Sequence, residues 1–214
     1  SANDASVAIA EALYGSENAF VERMNERARE LGLKNTHFVN CTGLPAEGQQ
    51  TTARDVAVMT MAMLSYPAYF DFSTVWLDEV DHGDGRITQL TNTNKLIRLY
   101  DGCDGGKTGS TNEAGYCISA TARRGDMRLI AVVLGADTGS ERFDIAAEML
   151  DYGFAHYRSA MLALANRTFR MLPVTGSLNR FVPVYMAADV YYPLTEGELV
   201  KARVELPERV EAPI

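Results

Sequence analysis

A switch of hydrophobic period near Gly105 limits the possible folds most. Before it, apolar residues recur at helical spacing. From Tyr116 to Arg123 they alternate, Gly125-Asp126 punctuates, and Met127 to Leu134 is almost continuously apolar. Alternation, a tight Gly-containing turn and a second apolar run predict a β-hairpin whose second strand is buried on both faces. Helices are predicted on either side. Ser140 is placed to cap a helix running to about Ala165, with Phe143, Ala146, Ala147, Leu150 and Phe154 on one face. The fold class expected is α+β, an antiparallel sheet flanked by helices.

The first hundred residues are read as helices. Ala5 to Tyr14 is mostly apolar. After a Gly15-Ser16 break, Phe20, Val21, Met24, Ala28 and Leu31 define one face, with Ser16 as N-cap and Gly32 just past the end. Asn35 to Gln50 is irregular. Thr52, with Asp55 three residues on, resembles a capping box and opens a helix to about Ser65, closed before Pro67. Its methionines, Met59, Met61 and Met63, read as core filling. Asp78, Glu79, Asp81 and Asp84 surround His82, but Gly83 breaks the alternation a calcium loop needs, so a solvated loop is expected there. Past Asn166, short Val/Tyr/Leu-rich segments are punctuated by Gly176, Pro183, Pro193, Gly197, Pro207 and Pro213. That texture predicts two domains, residues 1–165 and the start of a small all-β domain over 166–214.

Composition excludes several function classes. With 20 Lys and Arg against 28 Asp and Glu, the formal charge is −8, which disfavours nucleic acid and anionic membrane surfaces as partners. No apolar run is long enough to cross a bilayer, and the first residues lack the charged-then-apolar pattern of a leader. Cys41, Cys103 and Cys117 are odd in number and share no ligand spacing with His37, His82 or His156. Neither a disulfide framework nor a metal site is expected, and no cofactor is implied.

Two short motifs carry chemistry. Lys107-Thr108-Gly109 precedes the hairpin within Asp104-Gly-Gly-Lys-Thr-Gly-Ser-Thr111. A strand here offers its backbone to an extended peptide, and a glycine at 109 lets the ligand approach the main chain. Lys107 brings a cation near a reacting hydroxyl, Thr108 offers a hydroxyl to a ligand carboxylate, and the Ser110 N–H suits a developing oxyanion. Read alone, the stretch is better explained as a polar turn into a hairpin. Ser1-Ala-Asn3 supplies a hydroxyl to relay a proton and an amide to hold a substrate carbonyl, although Ser, Asn and Asp4 also suit an ordinary N-cap.

Longer segments point the same way. Leu31-Gly-Leu-Lys-Asn-Thr-His-Phe-Val-Asn-Cys-Thr-Gly-Leu44, Thr52-Ala-Arg-Asp-Val-Ala57, Asn92-Thr-Asn-Lys-Leu96, Asp104-Gly-Gly-Lys-Thr-Gly109, Glu113-Ala-Gly-Tyr116 and Met127-Arg-Leu-Ile130 follow in one order. Together they resemble the low-molecular-mass penicillin-binding proteins that act as D-alanyl-D-alanine carboxypeptidases. The resemblance runs from residue 1 to about 165, and the tail is similar to the start of their β-rich second domain. It implies a partial penicillin-recognising (β-lactamase-like) fold and a serine acyl-transfer enzyme that removes the terminal D-alanine from peptidoglycan stem pentapeptides. It further implies acylation by β-lactam antibiotics and a location outside the cytoplasmic membrane. On that pattern Ser1, Asn3 and Lys107 are catalytic, and Lys107, Thr108, Gly109 and Ser110 bind substrate. Ser110 replaces the aromatic or histidine that often follows K-T-G. Thr93 replaces the arginine that some relatives carry between the two asparagines, leaving the partner of the substrate carboxylate open.

The nucleophile motif of that family, S-x-x-K, is missing: no serine of the chain is followed three residues later by lysine. The motif is expected upstream of Ser1. The chain is therefore expected to be an internal piece, inactive alone and needing its N-terminal segment or another chain to complete the fold. Peripheral membrane association through a C-terminal helix beyond Ile214 is expected of the parent protein. The alternatives are a non-catalytic peptidoglycan-binding or scaffold domain and, with less support, a serine β-lactamase or an N-terminal nucleophile hydrolase built on Ser1.

Overall fold

The computed structural model describes residues 2–212, in two compact units that divide between Gly153 and Phe154. Ser1 lies outside the described residues. In the first unit, α1 (Asn3–Tyr14) ends on Gly15 at φ +79°, a conformation that favours glycine, and α2 (Glu17–Glu30) starts where the Ser16 hydroxyl accepts from the Ala19 N–H. The predicted cap of α3 (Ala53–Met63) forms halfway. Thr52 Oγ1 accepts from the Asp55 N–H, but Asp55 does not reach back as a capping box requires. It is buried and accepts from the Asn35 N–H (2.9 Å) and the Thr36 hydroxyl (2.8 Å), fastening the irregular 35–50 stretch to the helix. Met59 and Met63 line an apolar hollow between α2 and α3, whereas Met61 is 62% exposed, so core filling does not describe it.

The acidic stretch expected to be a loop is a hairpin instead. Leu77–Asp81 (β1) pairs antiparallel with Ile87–Thr91 (β2), and only residues 82–86 form its turn. Every residue of both strands is exposed, so no burial period marks them in the sequence. A short helix, α4 (Ala68–Ser73), precedes this ribbon, and one turn, α5 (Leu96–Leu99), follows it.

The sheet at the centre of the unit runs β3 (Cys103–Thr111), β4 (Gly115–Arg124), β5 (Met127–Ala136), all antiparallel in the order β3-β4-β5. The hairpin is where the period change put it. The strand buried on both faces, however, is β4 and not β5: it is the central strand, and consecutive residues from Ile118 to Ala122 are all buried. Ile118, Ala120 and Ala122 on one face of β4 and Ser119 and Thr121 on the other are all buried. Helix α6 (Glu141–His156) covers the first face with Phe143, Ala146 and Leu150. It approaches so closely that a Cβ at Gly153 would lie 2.5 Å from Leu129 Cδ1. Helix α3 covers the second face, where Thr60 Oγ1 meets Ser119 Oγ at 2.7 Å in a buried hydroxyl pair. Helices on both sides of an antiparallel sheet match the expected α+β class.

The helix predicted to reach Ala165 stops at His156, and Tyr157–Ala163 is strand β6. In the second unit β6 pairs with β9 (Val190–Thr195), while β7 (Thr168–Thr175) pairs antiparallel with β8 (Phe181–Tyr185) and parallel with β10 (Val210–Glu211). Pro183 sits on β8, an edge of its sheet, where a missing N–H costs no ladder bond. Among the described residues no helix is long and apolar enough to cross a membrane.

Candidate active site

Strand β3 carries four of the six residues singled out from the sequence, and it lies at an edge of the sheet. Its entry is fixed by two glycines. Gly106 adopts φ +122°, and a Cβ there would run into the Ser119 carbonyl oxygen. A Cβ at Gly105 would lie 2.5 Å from the Tyr69 hydroxyl. The Gly106 N–H donates to Tyr69 Oη at 2.7 Å, and the Ser73 hydroxyl donates to the Asp104 carbonyl at 2.6 Å. Both partners come from α4. Arg128 of β5 adds a bidentate ion pair to Asp104 (2.7 and 2.8 Å) and stacks over Phe70.

A second support is the Asn92-Thr93-Asn94 turn. The Asn92 amide donates to the Ser73 and Val75 carbonyls at 3.1 and 3.0 Å. Asn94, 2% exposed, donates to the Gly105 carbonyl at 3.0 Å and accepts from the Leu96 N–H at 3.1 Å. Between them Thr93 Oγ1 accepts from Thr108 Oγ1 at 2.8 Å. Thr93, unassigned from the sequence, therefore sets the orientation of the Thr108 hydroxyl.

Backbone direction follows from the ladder. In an antiparallel strand alternate residues turn N–H and C=O to the same side. Gly106 points away from β4, towards Tyr69, so Thr108 and Ser110 also present their backbone to the open edge. Side chains divide by register: Lys107 and Gly109 pair with Ser119 and Cys117 on the α3 face, Thr108 and Ser110 with Ile118 and Tyr116 on the α6 face. Lys107 Nζ donates to the Thr108 carbonyl at 2.5 Å. Desolvation, then the charge of Arg142, pulls its pKa below the ordinary lysine value. Thr108 is buried; Lys107, Gly109 and Ser110 are exposed. A Cβ at Gly109 would meet nothing within 4 Å, so the protein's own packing does not demand this glycine.

Sequence reasoning passed over Arg142. From the first turn of α6, its Nη1 donates to the Gly109 (3.0 Å) and Cys117 (3.3 Å) carbonyls, and its guanidinium lies against Tyr116 and Phe143. Its Nε is buried without a partner among the described residues. The apolar face read for that helix does not include Arg142. Asn3 stands exposed in the first turn of α1. Ser1 cannot be placed against it, being outside the described residues. Among those residues no group of three or more His, Cys, Asp or Glu could hold a metal ion.

The profile of the D-alanyl-D-alanine carboxypeptidases, peptidase S11, matches residues 1–138. The chain belongs to this family. Over its whole length it is 41% identical to the D-alanyl-D-alanine carboxypeptidase DacF of Bacillus subtilis, covering 56% of that protein. Penicillin-binding protein 5 of Haemophilus influenzae superposes on 99% of the chain with a TM-score of 0.78 at 31% identity, the match covering 62% of its length. Penicillin-binding protein D2 of Listeria monocytogenes, solved in a cefotaxime-bound form, superposes on 72% of the chain and 61% of its own (TM-score 0.64, 34% identity). The fold is thus that of the penicillin-binding proteins, and the chain spans about half the length of the curated relatives it matches.

Proposed function

We propose that this chain is part of a serine-type D-Ala-D-Ala carboxypeptidase acting on peptidoglycan stem pentapeptides outside the cytoplasmic membrane. Its nucleophile and activating lysine would lie on a segment beyond these 214 residues. The observation that carries the reading is the open edge of β3 from Lys107 to Ser110, with no side chain at Gly109 and a lysine depressed below its ordinary pKa beside it. A stem peptide would add to this edge as a strand. The Ser110 N–H would stabilise the oxyanion, while the Thr108 hydroxyl, released from Thr93, would receive the terminal carboxylate beside Lys107. Ser1, Asn3 and Lys107 would serve proton transfer and carbonyl positioning. The nucleophile's oxygen would bond the scissile carbonyl carbon, the C–N bond would break, and the leaving D-alanine amine would take up a proton. Water would then hydrolyse the acyl-enzyme.

The same reading expects β-lactams to acylate the full-length protein, as the cefotaxime-bound form of the Listeria relative suggests, and requires no cofactor. The 214-residue chain alone would be neither active nor acylated. Membrane attachment would come from a C-terminal helix beyond it. The test is covalent labelling by a fluorescent penicillin: labelling of the full-length protein with none of the isolated chain is expected. A full-length protein that takes no label would favour the non-catalytic scaffold reading.

A further inference from the structure

The edge of β3 is open along only half its length. Around Asp104 to Gly106 it is closed by α4: Tyr69 takes the Gly106 N–H at 2.7 Å, and Ser73 holds the Asp104 carbonyl at 2.6 Å. Arg128, paired with Asp104 and stacked over Phe70, fixes the helix against the strand. The Tyr69 ring packs edge-on against Phe70, so the hydroxyl cannot swing away without disturbing that contact.

The direction of a bound peptide decides what this closure does. This step rests on the carboxypeptidase reading above. With the scissile carbonyl at the Ser110 N–H and the terminal carboxylate at the Thr108 hydroxyl, the ligand chain runs from 110 towards 108, antiparallel to β3. Its C-terminal end therefore faces Tyr69. Out-facing groups on one edge recur every two residues, about 7 Å apart. A single leaving residue fits between Ser110 and Thr108. A second would arrive at Gly106, whose N–H already has a partner and whose flank is the Tyr69 ring.

We infer that Tyr69 is a specificity-determining residue: it ends the peptide lane, so that only chains terminating in a free carboxylate one residue past the scissile bond fit. The site is an exopeptidase because α4 stops the edge there. Loss of overall assembly would slow all substrates alike, whereas loss of this stop changes a ratio.

The experiment uses the full-length protein and two synthetic peptides, an acyl-D-Ala-D-Ala with a free carboxylate and the same peptide extended by a C-terminal glycine. Fluorescent-penicillin labelling runs alongside. The unsubstituted protein is expected to prefer the free carboxylate by about a hundredfold in kcat/KM, and Tyr69→Ala to narrow that ratio about tenfold. Tyr69→Phe keeps the ring but releases the Gly106 N–H, and is expected to narrow it by about threefold. It also serves if the alanine variant folds poorly. A ratio unchanged in both variants overturns the inference. So does an unsubstituted protein that labels normally yet cleaves both peptides equally well, which would leave the carboxypeptidase reading standing. An unsubstituted protein that takes no label overturns that reading and the inference with it.

Discussion

Three glycines within five residues of one strand do two different jobs. Gly105 and Gly106 are glycine because the protein itself fills the space a side chain would need, with the Tyr69 hydroxyl against one and the Ser119 carbonyl against the other. Gly109 faces nothing within 4 Å. The first half of the edge is thus built by packing and hydrogen bonding, and the second half is where, on the function proposed above, a ligand would lie. Stability and function separate along a single strand within about 10 Å, and substitutions there are expected to sort into two classes.

Lys107→Ala should give the largest effect, and it falls in the functional class. In the full-length protein, penicillin acylation should drop by about a thousandfold while the thermal midpoint stays put. Acylation at an unaltered rate would remove Lys107 from the chemistry and blur the division. The counterpart in the closed half is Gly106→Ala. At φ +122°, with the Cβ driven into the Ser119 carbonyl, it should cost about 3 kcal/mol or more of unfolding free energy. A denaturant midpoint matching the unsubstituted protein would break the comparison.

Asn94→Ala tests the closed half from the side-chain end. The amide is buried and bonds the Gly105 carbonyl and the Leu96 N–H, so its removal strands two buried groups and should cost about 2 kcal/mol. Equilibrium unfolding measures this directly. Gly109→Ala inverts the pattern: a stability change within about 0.5 kcal/mol, but acylation slowed by about tenfold as the methyl enters the lane. If Gly109→Ala unfolds the protein instead, the open half is structural too.

The sequence made one of these halves legible and hid the other. The hairpin announced itself because β4 and β5 carry the apolar period that burial requires, and K-T-G could be placed just before it. Which strand is doubly buried could not be read, since that depends on β3 lying beside β4, and β3, rich in Gly, Thr and Ser, has no hydrophobic period. The exposed ribbon Leu77–Thr91 escaped for the same reason. Tyr69, Ser73 and Asn94 support β3 through hydrogen bonds spanning 37, 31 and 11 residues, and no local pattern encodes such distant pairings. The helix read past His156 failed differently. Tyr157–Ala163 contains good helix formers, Arg158, Ala160, Met161 and Leu162, and pairing with β9 overrides that propensity.

Arg142 braces the open half from α6 and supports the finest test. Its guanidinium holds the Gly109 and Cys117 carbonyls and, as a like charge near Lys107, adds to the desolvation that lowers the lysine's pKa. A neighbouring cation disfavours the protonated ammonium, so removing it must move Lys107 back towards the ordinary lysine value. Arg142→Gln should therefore shift the Lys107 titration to higher pH, followed by NMR of its Nζ or by the alkaline limb of the acylation profile. The sign also fixes the stability consequence. The folded state binds the Lys107 proton less readily than the unfolded chain, so it gives up stability at pH values where the unfolded lysine is protonated, and regains it as pH rises through the folded and then the unfolded pKa. Arg142→Gln should shrink that pH dependence. If the titration moves to lower pH or stays in place, desolvation alone tunes Lys107, and the role of Arg142 reduces to holding the two carbonyls at the open end of the edge.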